Sequence, residues 1–277
     1  MRQIRSMLYA GIATASALAA VGCGGGGAGD DGGAPPPSQG IDRGGSAFAQ
    51  GAITGFGSVF VNGVRYSTSG ASITIDDSPG VESDLAVGQV VRIEGTLDAG
   101  GTTGTARSIV YDSDVKGQIA SIDTIASTLV VLGQTIRITT GTSFDSTIVP
   151  GSLAGLAVGD SIEVSGFPGS AGVLTATRIE RMAAGGELEV RGIASNVDTA
   201  AQRLRVNDLT VDYSNAMLED FPSGQPAEGD LVEAKGALGG SGDLIATRLE
   251  RESASLPGST DDTAEIEGLV TRFASSA

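Results

Sequence analysis

The sequence contains no histidine and no tryptophan, and its only cysteine is Cys23. Without histidine, a Ser-His-Asp triad, a histidine-liganded zinc site and imidazole acid–base catalysis are all excluded. A single cysteine is also too few to ligate an iron–sulfur cluster. These absences predict a protein that is not an enzyme and that carries no cofactor.

Aromatic residues make up only 4% of the chain, and lysine occurs only at Lys116 and Lys235. The acidic residues outnumber the basic ones, which gives a formal net charge of −16. Such a chain repels nucleic acid and lacks the aromatic side chains on which bases stack, so we expect no nucleic-acid partner. Its hydrophobic residues, 40% of the total, suit several small β domains better than one large enzyme core.

The N-terminus has the features of a bacterial export signal. Arg2 and Arg5 precede an apolar segment, Met7–Gly22, that is too short to span a bilayer as a helix. The segment runs into "AAVGC", which resembles the lipobox of bacterial lipoproteins. The resemblance implies lipidation of Cys23 and attachment to the membrane through that lipid; the alternative is an ordinary secretory signal with an incidental cysteine. Because Gly24 rather than Asp follows, we expect the outer membrane, on its periplasmic or its surface face.

Short phrases recur in fixed order through most of the chain. The phrase "ATRIER" begins at Ala176, and "ATRLER" begins about 70 residues later at Ala246. A second phrase, of the form "LAVGDSIEVSG", ends at Gly95, Gly166 and Gly236. Self-similarity at a fixed period indicates tandem structural units, here three of about 70 residues each.

Each unit is predicted to contain five strands. In "SIEVSG", Ile162 and Val164 alternate with polar residues, which is the pattern of a half-buried strand. In "LTATRIE", Ile179 has the opposite parity to Ala176, which predicts a bulge near Thr177. A short irregular or helical segment separates the third strand from the fourth. This order predicts an all-β chain of OB-like small barrels; a stack of β-sandwich modules is the alternative.

The ordered phrases resemble the bacterial repeats called domain of unknown function 5666. The resemblance covers about Ala49–Glu252 and a stub at Ala264–Ala277. It implies OB-like small barrels, and it implies no activity and no catalytic residue. Repeat 3 departs from the pattern at Pro226 and Glu228, where we expect a different entry into the fourth strand.

The predicted organisation is, in chain order, a signal peptide at 1–22, a disordered Gly/Pro/Asp tether at 23–48, repeat 1 at 49–112, repeat 2 at 113–183, repeat 3 at 186–252, a linker at 253–263 and the incomplete start of a fourth repeat at 264–277. One strand cannot satisfy its own backbone donors. The last segment is therefore expected to belong to a longer repeat protein, or to complete a sheet elsewhere, and to be edge-paired at most.

Acidic clusters are the remaining candidates for site chemistry. They lie at Ile75–Asp77, Tyr111–Asp114 and 261–262, where solvated acids at strand ends are the ordinary interpretation. Asp112 and Asp114 are the sharper candidates, as oxygen ligands for a calcium ion between two repeats.

These features predict a non-enzymatic envelope lipoprotein that presents tandem β modules to a protein partner or a surface. The alternative is a module that binds a small ligand, a glycan or Ca²⁺, with Tyr66, Tyr111 and Tyr213 as platforms for a sugar; for these tyrosines we prefer packing within the strands. A carboxylate-dependent hydrolase is a remote third hypothesis.

Overall fold

The computed structural model describes residues 45–252 and 263–266. The predicted signal peptide, Cys23, almost all of the tether, nearly all of the 253–263 linker and most of 264–277 lie outside these residues. The described part consists of strands, turns and three short 3₁₀ segments. No helix in this part is both long enough and apolar enough to cross a membrane.

Each repeat contributes one set of consecutive strands. Repeat 1 contains β1 (Ser46–Gly55), β2 (Val59–Val61), β3 (Val64–Ser67), β4 (Ser72–Ile75), β5 (Ser78–Gly80), β6 (Val90–Leu97) and β7 (Thr103–Tyr111). Repeat 2 contains β8 (Val115–Asp123), β9 (Thr128–Val131), β10 (Gln134–Arg137), β11 (Ser143–Phe144), β12 (Ser161–Pro168) and β13 (Leu174–Arg181). Repeat 3 contains β14 (Leu188–Asp198), β15 (Arg203–Val206), β16 (Leu209–Asp212), β17 (Met217–Glu219), β18 (Leu231–Leu238) and β19 (Leu244–Arg251).

Five strands of each repeat close into a barrel. In repeat 1, β1 pairs antiparallel with β2 and β6, and β2 pairs antiparallel with β3. The barrel is completed by β7, which is parallel to β3 and antiparallel to β6. The strands of repeats 2 and 3 pair in the same way. When only the five barrel strands of a repeat are counted in chain order, they lie around the barrel in the order 1-2-3-5-4, and strand 4 pairs with strand 1. Strands 3 and 5 are the parallel pair. This is the strand order of an OB barrel, and the predicted fold is confirmed.

The recurring glycine in the fourth barrel strand marks a bulge. In repeat 2, Ser165 pairs with Arg178 but Gly166 pairs with Ala176, so Thr177 is the extra residue that the sequence predicted. A Cβ on Gly166 would lie 2.4 Å from the carbonyl oxygen of Thr175. Equivalent bulges face Gly95 and Gly236 in the other repeats. Only glycine lets the two backbones approach this closely at the bend.

The barrel interiors hold aliphatic side chains and the three tyrosines considered above. Tyr66, Tyr111 and Tyr213 are each only 1% exposed. Packing within the strands is therefore the correct interpretation for them, and none of the three offers a surface platform for a sugar. One buried apolar cluster runs through repeats 2 and 3, and a second belongs to repeat 1.

Repeats 2 and 3 are joined more closely than three separate barrels would be. At the start of their first strands, β8 and β14 pair antiparallel, with Lys116 opposite Glu189 and Val115 opposite Val190. Because of this short ladder, the two barrels form one twelve-stranded sheet. The repeated phrases gave no indication of this pairing.

The strand that follows the third repeat lies against the first repeat. β20 (Thr263–Ile266) pairs in parallel with residues 47–50 of β1, on the edge opposite β6. The described part of the predicted fourth-repeat segment is thus edge-paired, as expected, and its partner is repeat 1.

Candidate functional site

The β4–β5 hairpin of repeat 1 reaches into the other two repeats. Its tip residues, Asp76 and Asp77, have φ angles of 45° and 63°, a left-handed conformation that aspartate tolerates better than most residues. Asp76 lies 2.7 Å from Lys116 Nζ in repeat 2, and Asp77 lies 2.6 Å from Lys235 Nζ in repeat 3. The two residues at this hairpin tip therefore connect repeat 1 to both repeat 2 and repeat 3.

The only two lysines of the chain meet the same buried carboxylate. Glu189 Oε2 lies 3.1 Å from Lys116 Nζ and 3.8 Å from Lys235 Nζ, and Glu233 lies 2.7 Å from Lys235 Nζ. We call Asp76, Asp77, Lys116, Glu189, Glu233 and Lys235 the junction ion cluster. Burial, reinforced by the nearby Glu233, raises the pKa of Glu189. The lysine ammonium groups oppose this rise. The junction ion cluster therefore places charged groups of both signs at the contact between the three repeats.

The joint between repeats 1 and 2 is fixed in place by side-chain hydrogen bonds. The Asp112 carboxylate accepts a hydrogen bond from Arg92 at 2.5 Å. The Ser113 side chain, which is fully buried, donates to Glu189 at 3.0 Å. Asp114 accepts the backbone N–H of Gly166 at 2.8 Å. These contacts hold the three joint residues against repeat 1, repeat 3 and repeat 2 in turn.

Beside this joint, the three repeats enclose a cavity of about 400 Å³, which we call the junction cavity. Every repeat contributes to its wall: β1, β6 and β7 from repeat 1, the β12–β13 hairpin from repeat 2, and β14 and β18 from repeat 3. The barrels place their outer faces here, so no single repeat contains the cavity. It therefore depends on how the three repeats pack on one another.

The wall of the junction cavity has an apolar part and a charged part. The apolar part includes Val90, Val110, Phe167, Leu174, Ile193 and Leu231. The charged part consists of Arg92, Arg191, Asp112 and Asp114. Ile193 is 55% exposed, which leaves a large apolar side chain available to a ligand.

The four charged side chains have different environments. Burial raises the pKa of Asp114 to about 6, against the opposing influence of Arg191. Burial also raises the pKa of Asp112, although the Arg92 guanidinium opposes the rise. Arg191 donates from Nη2 to Glu252 at 3.2 Å, and its buried Nε has no hydrogen-bond partner among the described residues. Arg92 Nη1 also lies 3.6 Å from Glu252, and the contacts of the two arginines leave part of each guanidinium without an acceptor.

The sequence drew attention to Asp112 and Asp114 as calcium ligands, and the structure brings both to the junction cavity. It places Arg92 and Arg191 beside them, and these positive charges oppose the binding of a cation. Within residues 45–252 and 263–266, no group of three or more His, Cys, Asp or Glu side chains is arranged to hold a metal ion. The geometry therefore favours a different use of the two aspartates.

Sequence reasoning did not single out the two arginines. Arg92 alternates with the buried Val91 and Ile93, which predicts an ordinary solvated charge, and no sequence pattern marks Arg191. A charge on the outer face of a barrel becomes a site residue only when another repeat packs against that face. The lysines did carry a signal, since Lys116 and Lys235 are the only two in the chain and both lie in the junction ion cluster.

Comparison with known proteins gives a family without an assigned role. The family described as a domain of unknown function, DUF5666, matches residues 50–110, 116–180 and 184–250. No curated protein matches the sequence. Among solved structures, drosophila Unr CSD456 is similar, with 14% identity over 69% of this chain and 85% of that chain, and a TM-score of 0.22. At this TM-score we draw nothing about fold or function from the similarity.

The three matched segments together span most of the chain, and each coincides with one barrel. The resemblance carried by the repeated phrases is thereby confirmed, and the chain belongs to the DUF5666 family.

Proposed function

We propose that this chain is a non-enzymatic binding protein of the bacterial cell envelope and that its ligand occupies the junction cavity. The observation that carries the proposal is the cavity itself, which measures about 400 Å³ and is walled by all three repeats. Small-molecule sites are concave, mostly apolar and about 300–1,000 Å³ in volume, with a few convergent polar groups. The junction cavity has each of these properties.

Binding without catalysis is favoured by the chemistry of the wall. The whole sequence lacks histidine, and its one cysteine lies far from the cavity in the chain. The two aspartates of the wall are engaged by Arg92 and by the Gly166 N–H. Groups held in this way orient a ligand well and are poorly placed to activate a water molecule.

The location in the envelope rests on the N-terminal sequence. We propose that Cys23 is lipidated and that the residues between it and β1 tether the repeats to the outer membrane, on its periplasmic or its surface face. The tether ends earlier than the predicted bound at residue 48, because β1 begins at Ser46. A Gly-rich tether of this length has a root-mean-square reach of about 25–30 Å, which would hold the repeats clear of the lipid headgroups.

Presentation of β edges to an envelope protein is a second candidate function. It is favoured by the pairing of β20 with residues 47–50 of β1, because that edge accepts an extended segment through backbone hydrogen bonds. A glycan partner has less support, since the three candidate tyrosines are buried. The net charge of −16 continues to argue against a nucleic-acid partner.

A thermal-shift screen of the purified full chain tests the leading proposal. The panel groups small molecules by charge: neutral, anionic, cationic and zwitterionic. A ligand of the cavity should raise the melting temperature of the wild type and not that of Ile193→Trp, in which a larger side chain fills the cavity. If no class raises the melting temperature, or if Ile193→Trp responds equally, the cavity is not a binding site.

A further inference from the structure

We infer that the junction cavity binds a small zwitterion with an apolar body, such as an apolar amino acid or dipeptide. The inference rests on the proposed function and names its ligand class. It follows from three features of the cavity wall: its volume, its apolar part and the paired signs of its charges.

The apolar part of the cavity wall favours a ligand with an aliphatic body. Val90 and Val110 of repeat 1, Leu174 of repeat 2, and Ile193 and Leu231 of repeat 3 surround the space with aliphatic side chains. They come from different barrels and leave room between them. A ligand with an aliphatic side chain removes this surface from water, and the gain grows with the apolar area that is buried.

The charged part of the cavity wall favours a ligand that carries both a carboxylate and an ammonium group. Arg92 donates to Asp112 through Nη2, and its Nη1 lies 3.6 Å from Glu252. Arg191 donates to Glu252 through Nη2, and its Nε has no hydrogen-bond partner among the described residues. A guanidinium has five N–H groups, so each arginine keeps some of them for a further acceptor. Each aspartate shows one engaged oxygen: Asp112 Oδ2 with Arg92 and Asp114 Oδ2 with Gly166. The wall can therefore donate to a carboxylate and accept from an ammonium group at the same time.

Ligands of a single charge fit this wall less well. A simple anion would bring a further negative charge close to Asp112, Asp114 and Glu252, in a protein whose net charge is already −16. A simple cation would meet the Arg92 and Arg191 guanidinium groups in the same space. A zwitterion satisfies both signs and adds no net charge.

Three related probes separate these cases by isothermal titration of the full chain. L-leucine carries both charges, N-acetyl-L-leucine keeps only the carboxylate, and L-leucinamide keeps only the ammonium group. We expect L-leucine or its dipeptide Leu-Leu to bind at least about tenfold more tightly than either single-charge analogue, since each analogue leaves one pair of wall charges unmatched.

Asp114→Asn identifies the acceptor for the ammonium group. Asparagine keeps an oxygen for the Gly166 N–H and removes the negative charge. The variant should lose about tenfold or more in affinity for L-leucine, and its affinity for N-acetyl-L-leucine should not fall. Asp220→Asn is the matched control, because Asp220 is exposed, lies outside the cavity wall and has a φ of 61° that asparagine also tolerates. This control should bind like the wild type.

The outcomes distinguish this inference from the proposed function. Equal or tighter binding of a single-charge analogue, or an unchanged L-leucine affinity in Asp114→Asn, overturns the zwitterion inference. If Ile193→Trp still abolishes the binding of some other class in the screen, the proposed function stands without it. If no class binds in the cavity, both are wrong.

Discussion

Replacing Lys235 by methionine should weaken the protein far more than the loss of an ordinary surface charge. The Lys235 ammonium lies 2.7 Å from Glu233 and 2.6 Å from Asp77, and its side chain is only 9% exposed. Lys235→Met keeps much of the volume and leaves the buried carboxylate of Glu233 without its counter-charge. Breaking one partner of a buried ion pair typically costs about 3–5 kcal/mol, and we expect a loss in that range.

The assay is urea unfolding at neutral pH, with the free energy of unfolding compared between variants. Arg203→Met is the matched control, because Arg203 also pairs with a carboxylate, Asp212 at 3.1 Å, but its side chain is 50% exposed. An exposed pair contributes about 0–1 kcal/mol. The double variant Lys235→Met with Glu233→Gln should recover part of the loss, because it removes one of the stranded charges. A cost for Lys235→Met as small as that of Arg203→Met would refute the role given to the junction ion cluster.

Three further predictions concern the barrel, the pH response and the anchor. Gly236→Ala should lower the free energy of unfolding by about 3 kcal/mol or more, or prevent folding, because the new Cβ would lie 2.1 Å from a backbone oxygen. Gly240→Ala is the control: no atom lies within 4 Å of its Cβ position, and urea unfolding should show a nearly unchanged stability. Burial raises the pKa of Asp114 to about 6 from an ordinary 3.8, so the folded state binds this proton more tightly than the unfolded state, and stability falls as pH rises from about 4 to 6. Asp114→Asn should lack this part of the fall. Urea midpoints of the variant and the wild type that run parallel across this pH range would contradict the prediction. Cys23→Ser should abolish lipid labelling and membrane fractionation of the chain, and unchanged labelling would remove the lipoprotein proposal.

The barrel was predictable because its determinants are local. The alternation around Ile162 and Val164 sets the buried face, and the parity change before Ile179 places the bulge at Thr177. Gly166 recurs because a neighbouring carbonyl oxygen occupies the place of its Cβ. Each of these sequence signals lies within one repeat, and the three copies of the repeat make it recognisable.

The junction could not be predicted in the same way, because it depends on how barrels pack on one another. Asp76 and Asp77 have the pattern of a solvated turn, yet they bind lysines of two other repeats. Arg92 and Arg191 are ordinary outward-facing residues until the repeats enclose them. The sequence predicts Asp112 and Asp114 as calcium ligands because hard cations prefer oxygen atoms, and it does not show the arginines that other strands place beside them.

Methyl NMR during a titration with L-leucine tests most directly that three repeats build one binding site. The reporters are the methyl groups of Val90 in repeat 1, Leu174 in repeat 2 and Ile193 in repeat 3, which share the wall of the junction cavity. We predict that all three shift together along a single binding curve with one dissociation constant. Shifts confined to the methyl groups of one repeat, or no shift at any of the three, would contradict a jointly built site.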